Sequence, residues 1–498
     1  MPEGAQAGDL VGLEACTYEA NKVEYAADCG TLVVPENRTD PNSRLIALPV
    51  IRVRALGDNP AEPIFRYEGG PGSSNLHFQH MEGLVEDHDI VQVGYRGVDG
   101  SVVLECPEVT QAIKDAKPDF LSLESLVNIG DAWTRCGARL EAEGIDMDGY
   151  TMIETIEDNE AARAALGYER INLLGGSYGA RLELIYMWMH PESLHRVIQI
   201  SVNPPGNMVW EPDYIDRLIE HDAELCAQDP KCSARTDDLA ETVKNVAHNI
   251  PDRWLFMPID PGSLKAAAFM QFGYRGTAAQ IYDVFLAAEA GDPSGLAIGS
   301  LVGELIFPSA NTWGHTASMA VSADFDPTRD YCTEMNPPDS IMGAPMSEYY
   351  WCSFQHAEWP ATPIPEEYRQ VQPSDVETLL VGGNADFLTP IWPTTDELLP
   401  ALSNAELVIL SEFGHTVDVW GLQPEATRHL LTTFYETGEV DDSLYTYQPM
   451  NFDVGLMSFP FIAKVLVAVI VLVPLLLVAL VWFIVRRVRQ RRANQVSS

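Results

Sequence analysis

The sequence predicts an α/β fold with three parts: a mostly parallel sheet with helices on both faces, an inserted mainly helical lid, and one C-terminal transmembrane helix. Short β-rich segments alternate with helical patterns across residues 31–204, and two more β-rich segments follow within residues 366–445. This alternation is typical of parallel sheets. Residues 205–365 interrupt it with helical patterns rich in Trp and Pro. Near the end of the chain, residues 465–485 contain no charged side chain.

Each part of the chain has a predicted role. Residues 1–30 are an N-terminal extension, residues 31–204 and 366–445 are the two parts of the core, and residues 446–460 are a linker to the membrane. Within the core, β-branched and aliphatic runs predict strands at residues 31–34, 45–53, 64–67, 89–93, 171–174, 197–200, 378–381 and 407–410. Apolar residues at helical spacing predict helices at residues 158–166 and 180–189.

The transmembrane helix is predicted at residues 461–485, and its uncharged part is 21 residues long. At 1.5 Å per residue this part measures about 30 Å, the thickness of a hydrocarbon core. Five arginines follow in the basic tail, residues 486–498. The positive-inside rule places this tail in the cytoplasm and residues 1–460 on the outer side of a cell membrane. A buried core helix and a tail anchor with a cytoplasmic body are the alternatives.

The charge of the body limits the possible partners. Residues 1–460 hold all 72 acidic residues and 25 of the 31 basic ones, a net charge of −47. A surface this negative repels phosphate backbones, so nucleic acid is excluded as a partner. Such a surface is typical of proteins that work in salty water, where ions screen self-repulsion. A general compositional bias of the lineage is an equally good explanation of the acidic surface.

The cysteines indicate an oxidising compartment. All eight precede the membrane segment, and no CxxC pair is present. An even set in an outward-facing domain predicts disulfides, although eight cysteines allow 105 pairings. Buried free thiols are the alternative. The cysteines are Cys16, Cys29, Cys106, Cys136, Cys226, Cys232, Cys332 and Cys352.

The motif G-x-S-x-G occurs once, from Gly175 to Gly179 around Ser177. It follows a predicted buried strand and opens a predicted helix, which is the context of a nucleophile elbow. The turn is so tight that only small residues fit two positions on either side of the serine. Ser177 is therefore the candidate nucleophile. A glycine-rich turn with a passive serine is the alternative.

A serine hydroxyl needs a base and a group that orients the base. In this arrangement an acid and then a histidine follow the serine along the chain. Asp386 lies just after one late predicted strand, and His415 lies just after the next. Both loops reach the sheet edge at which Ser177 lies. We therefore expect a catalytic triad of Ser177, Asp386 and His415.

The developing oxyanion needs two N–H donors. One donor is expected at Tyr178, the residue after the nucleophile. The other is expected at Gly70, in the loop from Gly69 to Gly72, because glycine lets the backbone approach a substrate closely. A simple turn is the alternative for this loop. Such chemistry requires no metal ion and no organic cofactor.

Five stretches resemble the proline iminopeptidase and tripeptidyl aminopeptidase branch of the α/β-hydrolases, in its secreted type with a TAP-like C-terminal part. The resemblance covers about residues 15–435, and the stretch from Cys226 to Cys232 also resembles the lid of secreted members. Two positions depart from the branch: Glu68 stands where a histidine is usual, and Gly94 stands where an acid is usual. Both departures bear on the substrate pocket and on proline specificity. The five stretches are residues 34–38 with 48–50, residues 69–72, residues 95–101, residues 164–179, and residues 383–390 with Gly414 and His415.

The resemblance implies a membrane-anchored serine aminopeptidase that releases N-terminal residues, of proline or tripeptidyl type, through an acyl-enzyme. Its expected partners are a peptide substrate and the lipid bilayer, and a partner in a membrane complex is left unidentified. An aminopeptidase must hold an α-ammonium with carboxylates, but the lid has so many acids that the sequence singles out none. An esterase or lipase with the same triad, and a non-catalytic subunit of a membrane complex, are the alternatives.

Overall fold

The computed structural model describes the backbone of residues 1–496 and the side chains of residues 1–490. Within the predicted basic tail, Ser497, Ser498 and the side chains of Arg491 and Arg492 lie outside the described residues. The described strands are β1 (Leu10–Ala20), β2 (Val23–Pro35), β3 (Leu45–Val53), β4 (Ile64–Tyr67), β5 (Ile90–Val93), β6 (Ile171–Ser177), β7 (Leu194–Val202), β8 (Arg253–Trp254), β9 (Met257–Pro258), β10 (Thr378–Gly383) and β11 (Ala405–Leu410).

The helices surround the sheet and build the lid. They are α1 (Pro107–Asp115), α2 (Leu123–Ala142), α3 (Met152–Leu166), α4 (Tyr178–Met189), α5 (Pro212–Gln228), α6 (Pro230–Ser233), α7 (Leu239–His248), α8 (Pro261–Phe272), α9 (Arg275–Glu289), α10 (Ser294–Ile306), α11 (Trp313–Asp324), α12 (Tyr331–Glu334), α13 (Pro345–Ser347), α14 (Ser353–Gln355), α15 (Ile391–Pro393), α16 (Thr416–Gly421), α17 (Pro424–Thr437) and α18 (Phe459–Val496). Single π-helical turns lie at Glu348–Cys352 and Thr394–Leu398. Short 3₁₀ turns lie at Met147–Gly149, Pro191–Ser193, Phe307–Ser309, Glu366–Tyr368, Leu399–Ala401 and Gly455–Met457.

Nine strands form one sheet in the order β1-β2-β3-β5-β4-β6-β7-β10-β11. Within this sheet the six strands β5, β4, β6, β7, β10 and β11 pair in parallel, and β1, β2 and β3 form an antiparallel edge. Strands β8 and β9 pair only with each other. Every residue of β4 and β5 is buried, as expected for strands covered on both faces. Neighbouring residues such as Leu173 and Leu174 enter separate hydrophobic clusters on opposite faces. The predicted mostly parallel sheet is confirmed.

Two elements differ from the sequence prediction. The structure has β1 and the first part of β2 within residues 1–30, where no strand was predicted. Most side chains of β1 are exposed at the sheet edge, so the strand has little apolar signal. Helix α3 begins at Met152, six residues before the predicted start, because the Thr151 side chain caps it by accepting from the Glu154 N–H at 3.3 Å. The other predicted domain boundaries stay predictions.

Helices α5–α14, together with α1 and α2, enclose a separate hydrophobic cluster of the lid. Four disulfides tie local segments, and they leave no free cysteine among the described residues. Their pairing joins neighbours along the chain: Cys16–Cys29, Cys106–Cys136, Cys226–Cys232 and Cys332–Cys352.

The C-terminal helix α18 leaves the body after one docked turn. Its stretch Phe459–Gln490 is 32 residues long and contains an 18-residue window with a mean hydropathy of 3.2, so it is long and apolar enough to cross a membrane. The predicted span, residues 461–485, lies within it. At its start, Ala463 is fully buried and Lys464 forms an ion pair with Asp292 of the lid.

Candidate active site

Ser177 lies at a sharp turn where β6 passes directly into α4. Its backbone has φ 57° and ψ −123°, a conformation that costs energy for any residue with a Cβ. A side chain at Gly175 would place its Cβ 2.6 Å from Glu183 Cδ, and one at Gly179 would collide with the Tyr67 carbonyl oxygen. The two glycines are therefore needed for the turn, which holds Ser177 at the carboxyl edge of the sheet.

Asp386 is completely buried in the loop after β10. Its Oδ1 accepts the N–H groups of Leu388 at 2.8 Å and Thr389 at 3.0 Å. Its Oδ2 accepts the Thr389 hydroxyl at 2.7 Å and lies 2.8 Å from His415 Nδ1. Burial alone would raise the pKa of Asp386, but the charge of His415 and the hydrogen bonds from His415 and Thr389 outweigh it and lower that pKa.

His415 follows β11 and precedes α16. Its backbone N–H donates to the carbonyl oxygen of Gly273 in the lid at 2.7 Å, which fixes the residue between core and lid. Because Asp386 faces Nδ1, a neutral imidazole donates from Nδ1 and leaves Nε2 as an acceptor. His415 and Ser177 line the same cavity. No hydrogen bond joins them among the described side chains, a looseness that is common before substrate binds.

The loop of the predicted second oxyanion donor follows β4 and contacts the nucleophile. A Cβ on Gly69 would lie 3.3 Å from the Cβ of Ser177. The Gly69 N–H donates to Glu68 Oε1 at 2.9 Å, so it is already engaged. Gly70 has φ +128°, a region that favours glycine, and it lines the cavity with Tyr178. Tyr178 is the first residue of α4, where backbone N–H groups have no partner within the helix.

The lid holds this loop in place. Thr316 of α11 donates its hydroxyl to the Pro71 carbonyl oxygen at 3.0 Å, and the Thr312 N–H donates to the Gly72 carbonyl oxygen at 3.1 Å. The same helix ends at Asp324, which forms an ion pair with Arg181 of α4, and both side chains are fully buried. The helix α11 thereby fixes both sides of the turn at Ser177.

The cavity has a volume of about 680 Å³ and lies between core and lid. Among the described lining residues, Glu68 and Glu304 are the carboxylates. Glu68 Oε2 lies 3.2 Å from Arg66, and Glu304 pairs with Lys117. Of the many lid acids, only Glu304 reaches this wall. Most of the remaining lining is apolar and includes Phe120, Met208, Trp210, Met270, Tyr350, Trp351 and Leu388.

Sequence reasoning missed the supporting residues. Thr389 lies within 3.2 Å of His415 and 2.7 Å of Asp386, and its only signal was its place three residues after the acid. Thr316 contacts a loop 245 positions away in the chain and carried no local signal. Glu304 could not be distinguished from other lid acids by sequence alone.

Two family matches cover most of the core and both ends of the lid. Residues 63–249 match the family described as alpha/beta hydrolase fold. Residues 342–445, which contain Asp386 and His415, match the family described as TAP-like protein. This chain has the α/β-hydrolase fold. The second match confirms the predicted TAP-like C-terminal part.

Several proteins resemble this α/β-hydrolase over part of their length. The tripeptidyl aminopeptidase of Streptomyces lividans is 26% identical over 271 residues, which are 50% of this chain and 48% of that protein. Serine protease Hip1 of Mycobacterium tuberculosis is 30% identical over 198 residues, 36% of each chain. A solved serine hydrolase from Cycloclasticus zankles covers 86% of this chain and 100% of its own, at 11% identity and a TM-score of 0.36, a similarity too weak to argue from. This chain spans about half the length, or less, of the curated relatives it matches. Both relatives are named peptidases, which fits the predicted serine hydrolase.

Proposed function

We propose that this protein is a serine aminopeptidase held on the outer face of a cell membrane. It releases N-terminal residues, either a prolyl-type residue or a tripeptide, from peptides through an acyl-enzyme. The observation that carries the proposal is the buried Asp386–His415 pair, whose imidazole shares a cavity wall with the strained Ser177. The named activity of the relatives from Streptomyces and Mycobacterium supports the choice of peptides as substrates.

In this mechanism His415 Nε2 takes the proton of Ser177 Oγ as the oxygen attacks the scissile carbonyl. Asp386 holds the imidazole by accepting from Nδ1 and stabilises the imidazolium that forms. The N–H groups of Tyr178 and Gly70 donate to the oxyanion, and the N-terminal end of α4 adds a favourable dipole. His415 then gives its proton to the leaving amine. Water, deprotonated by His415, attacks the ester carbonyl, and its proton finally returns to Ser177 Oγ.

The free N-terminus of the peptide needs a carboxylate in the same cavity. Glu68 and Glu304 are the two candidates among the described lining residues. Glu68 lies directly before the oxyanion loop, at the position where the family usually has a histidine. Glu304 lies on the lid and forms an ion pair with Lys117. When the substrate binds, its α-ammonium replaces Lys117, so the carboxylate keeps a positively charged partner. We propose that these two carboxylates select substrates with a free amine, so that specificity does not depend on a proline pocket alone.

Helix α18 supports the proposed placement on the membrane. Its apolar stretch is long enough to cross the bilayer, and basic residues follow it. A cytoplasmic basic tail then leaves the catalytic body outside the cytoplasm. Four disulfides in that body suit an oxidising compartment.

The test uses the full chain in detergent or nanodiscs. It compares fluorogenic prolyl and tripeptidyl amides with their N-acetylated twins, at low and high salt. Cleavage of only the free-amine substrates, lost in Ser177→Ala and retained in the exposed control Ser403→Ala, is the expected result. Equal cleavage of the acetylated twins would contradict the aminopeptidase proposal. An intact protein that neither cleaves these amides nor reacts with a fluorophosphonate would contradict a serine hydrolase altogether.

The apolar lining of the cavity favours one second candidate, an esterase with the same triad. An ester substrate needs no ammonium site, so Glu304→Gln would leave ester hydrolysis almost unchanged. For an aminopeptidase, the same variant lowers kcat/KM on free-amine peptides about tenfold or more, because a desolvated charge loses its partner. The ratio of ester hydrolysis to cleavage of free-amine peptides, compared between Glu304→Gln and wild type, therefore distinguishes an esterase from an aminopeptidase.

A further inference from the structure

The lid helix α10 exposes a cluster of large apolar side chains. Leu301 and Val302 are each 40% exposed, Leu305 is 70% exposed and Ile306 is 65% exposed. Their spacing of i, i+1, i+4 and i+5 places them on one face of the helix. Exposing several such side chains together is unfavourable in water, and it usually marks a binding surface.

This face continues into the cavity of Ser177. Val302, Leu305 and Ile306 all belong to the cavity wall, as does Val417, which is 60% exposed and follows His415 by two residues. We call these four residues the apolar lip.

The lip is not needed to pack the helix. Glycines of α10 beside the lip allow close approach to α8. A Cβ at Gly299 would lie 2.8 Å from Leu264 Cδ1, and one at Gly303 would lie 2.7 Å from the Ser263 carbonyl oxygen. At its N-terminal end α10 contacts Pro460, which would lie 2.9 Å from a Cβ at Gly295. The helix is thus fixed by its buried first half, residues 294–300, and by these glycine contacts, and the side chains at its C-terminal end stay available for a ligand.

We propose that the apolar lip binds large apolar residues of the leaving segment, the part of the peptide on the C-terminal side of the scissile bond. This inference rests on the proposed aminopeptidase orientation. In that orientation the N-terminus lies inside the cavity, so the rest of the peptide must leave through the mouth. His415 protonates the leaving amine, and Val417 lies two residues after it, in α16. The enzyme's substrates are therefore peptides whose residues after the cleaved bond are aliphatic or aromatic.

The experiment compares two oligopeptides with the same free N-terminal residues and different leaving segments, one Leu-Ile-Leu and one Ser-Asn-Ser. Full-length protein is used, and products are separated by chromatography. We expect wild type to prefer the apolar peptide about tenfold or more in kcat/KM, since burying part of two large side chains supports a factor of this size. In the double variant Leu305→Ser/Ile306→Ser the ratio should fall to within about twofold of one. The matched control Leu123→Ser, exposed on α2 outside the cavity, should keep the wild-type ratio, as should the conservative Leu305→Met.

Binding to the inactive Ser177→Ala protein separates this inference from the proposed function. Cleavage of both peptides at equal rates, or a preference for the apolar peptide that is retained in the double variant, contradicts the proposed role of the apolar lip. Neither result contradicts the proposed peptidase activity. Preferential binding of the apolar peptide to Ser177→Ala, without cleavage by wild type, supports the lip and overturns the peptidase. Absence of both preference and cleavage overturns both.

Discussion

Replacing Asp386 by Asn tests the proposed mechanism at the side chain that orients His415. Four donors converge on the two carboxylate oxygens: the N–H groups of Leu388 and Thr389 on Oδ1, the Thr389 hydroxyl on Oδ2, and His415 Nδ1, which lies closer to Oδ2 at 2.8 Å than to Oδ1 at 3.1 Å. An amide keeps one acceptor oxygen and replaces the other with an NH₂ donor. Because two backbone donors face Oδ1, the amide oxygen must stay there. The NH₂ group then faces His415.

This orientation sets the size of the effect. An NH₂ donor at the position of Oδ2, 2.8 Å from Nδ1, makes Nδ1 accept and moves the imidazole proton to Nε2. In that tautomer Nε2 cannot take the proton of Ser177. The same change in Ser-His-Asp enzymes lowers kcat about 10⁴-fold. At 1.36 kcal/mol per factor of ten, this is about 5.4 kcal/mol of transition-state stabilisation.

The assay is kcat at pH 7 on a free-amine peptide amide, together with the rate of labelling by a fluorophosphonate. Circular dichroism and thermal melting verify that Asp386→Asn is folded, and the exposed Asp442→Asn serves as the matched control. Both rates should fall by about 10³–10⁴ in Asp386→Asn and stay at wild-type values in the control. A folded Asp386→Asn protein that keeps more than about a tenth of its activity would refute the tautomer argument.

Three further substitutions test the fold around the site. Gly179→Ala places a methyl group against the Tyr67 carbonyl oxygen, and should lower the free energy of unfolding by about 3 kcal/mol; an unchanged melting temperature would contradict this. Asp324→Asn leaves the Arg181 guanidinium buried without its counter-charge, and should cost about 3–5 kcal/mol in urea unfolding; a loss below about 1 kcal/mol would show that the pair is not desolvated. Burial raises the pKa of Glu348 to about 7, so the folded state keeps a proton that the unfolded state loses near pH 4.5. The wild type should therefore lose about 3 kcal/mol of stability as the pH rises from about 4.5 to about 7. Glu348→Gln should remove that slope in urea melts, and parallel curves for the two proteins would argue against it.

Features that depend on short stretches of chain could be predicted from the sequence. The strand before Ser177 is mostly apolar, and the glycines beside it mark the turn. Asp386 and His415 each follow a parallel strand, and the ends of parallel strands meet at one edge of a sheet. Strand β1 could not be found this way, because its exposed edge position leaves no apolar pattern.

Features that depend on contacts between distant segments could not be predicted. The lid acids look alike in sequence, and only the packing of α10 brings Glu304 to the cavity wall. The hydrogen bond from Thr316 to the loop at Gly69–Gly72 joins parts of the chain 245 positions apart. Sequence patterns report periodicity along a segment, whereas these contacts follow from how segments are placed against each other.

The packing of α18 gives the lid a second role. Helix α10 contacts the start of α18 through Ser294 and Gly295, and it ends at the mouth of the cavity. Its 13 residues rise about 20 Å at 1.5 Å per residue, so the mouth lies within about 20 Å of the point where α18 docks. The full burial of Ala463 and the Lys464–Asp292 ion pair make this docked turn part of the lid. If α18 spans the bilayer, the position of the cavity over the membrane is therefore set by packed helices. An extended peptide covers about 3.3 Å per residue, so about six residues of a membrane-attached chain are enough to reach the mouth.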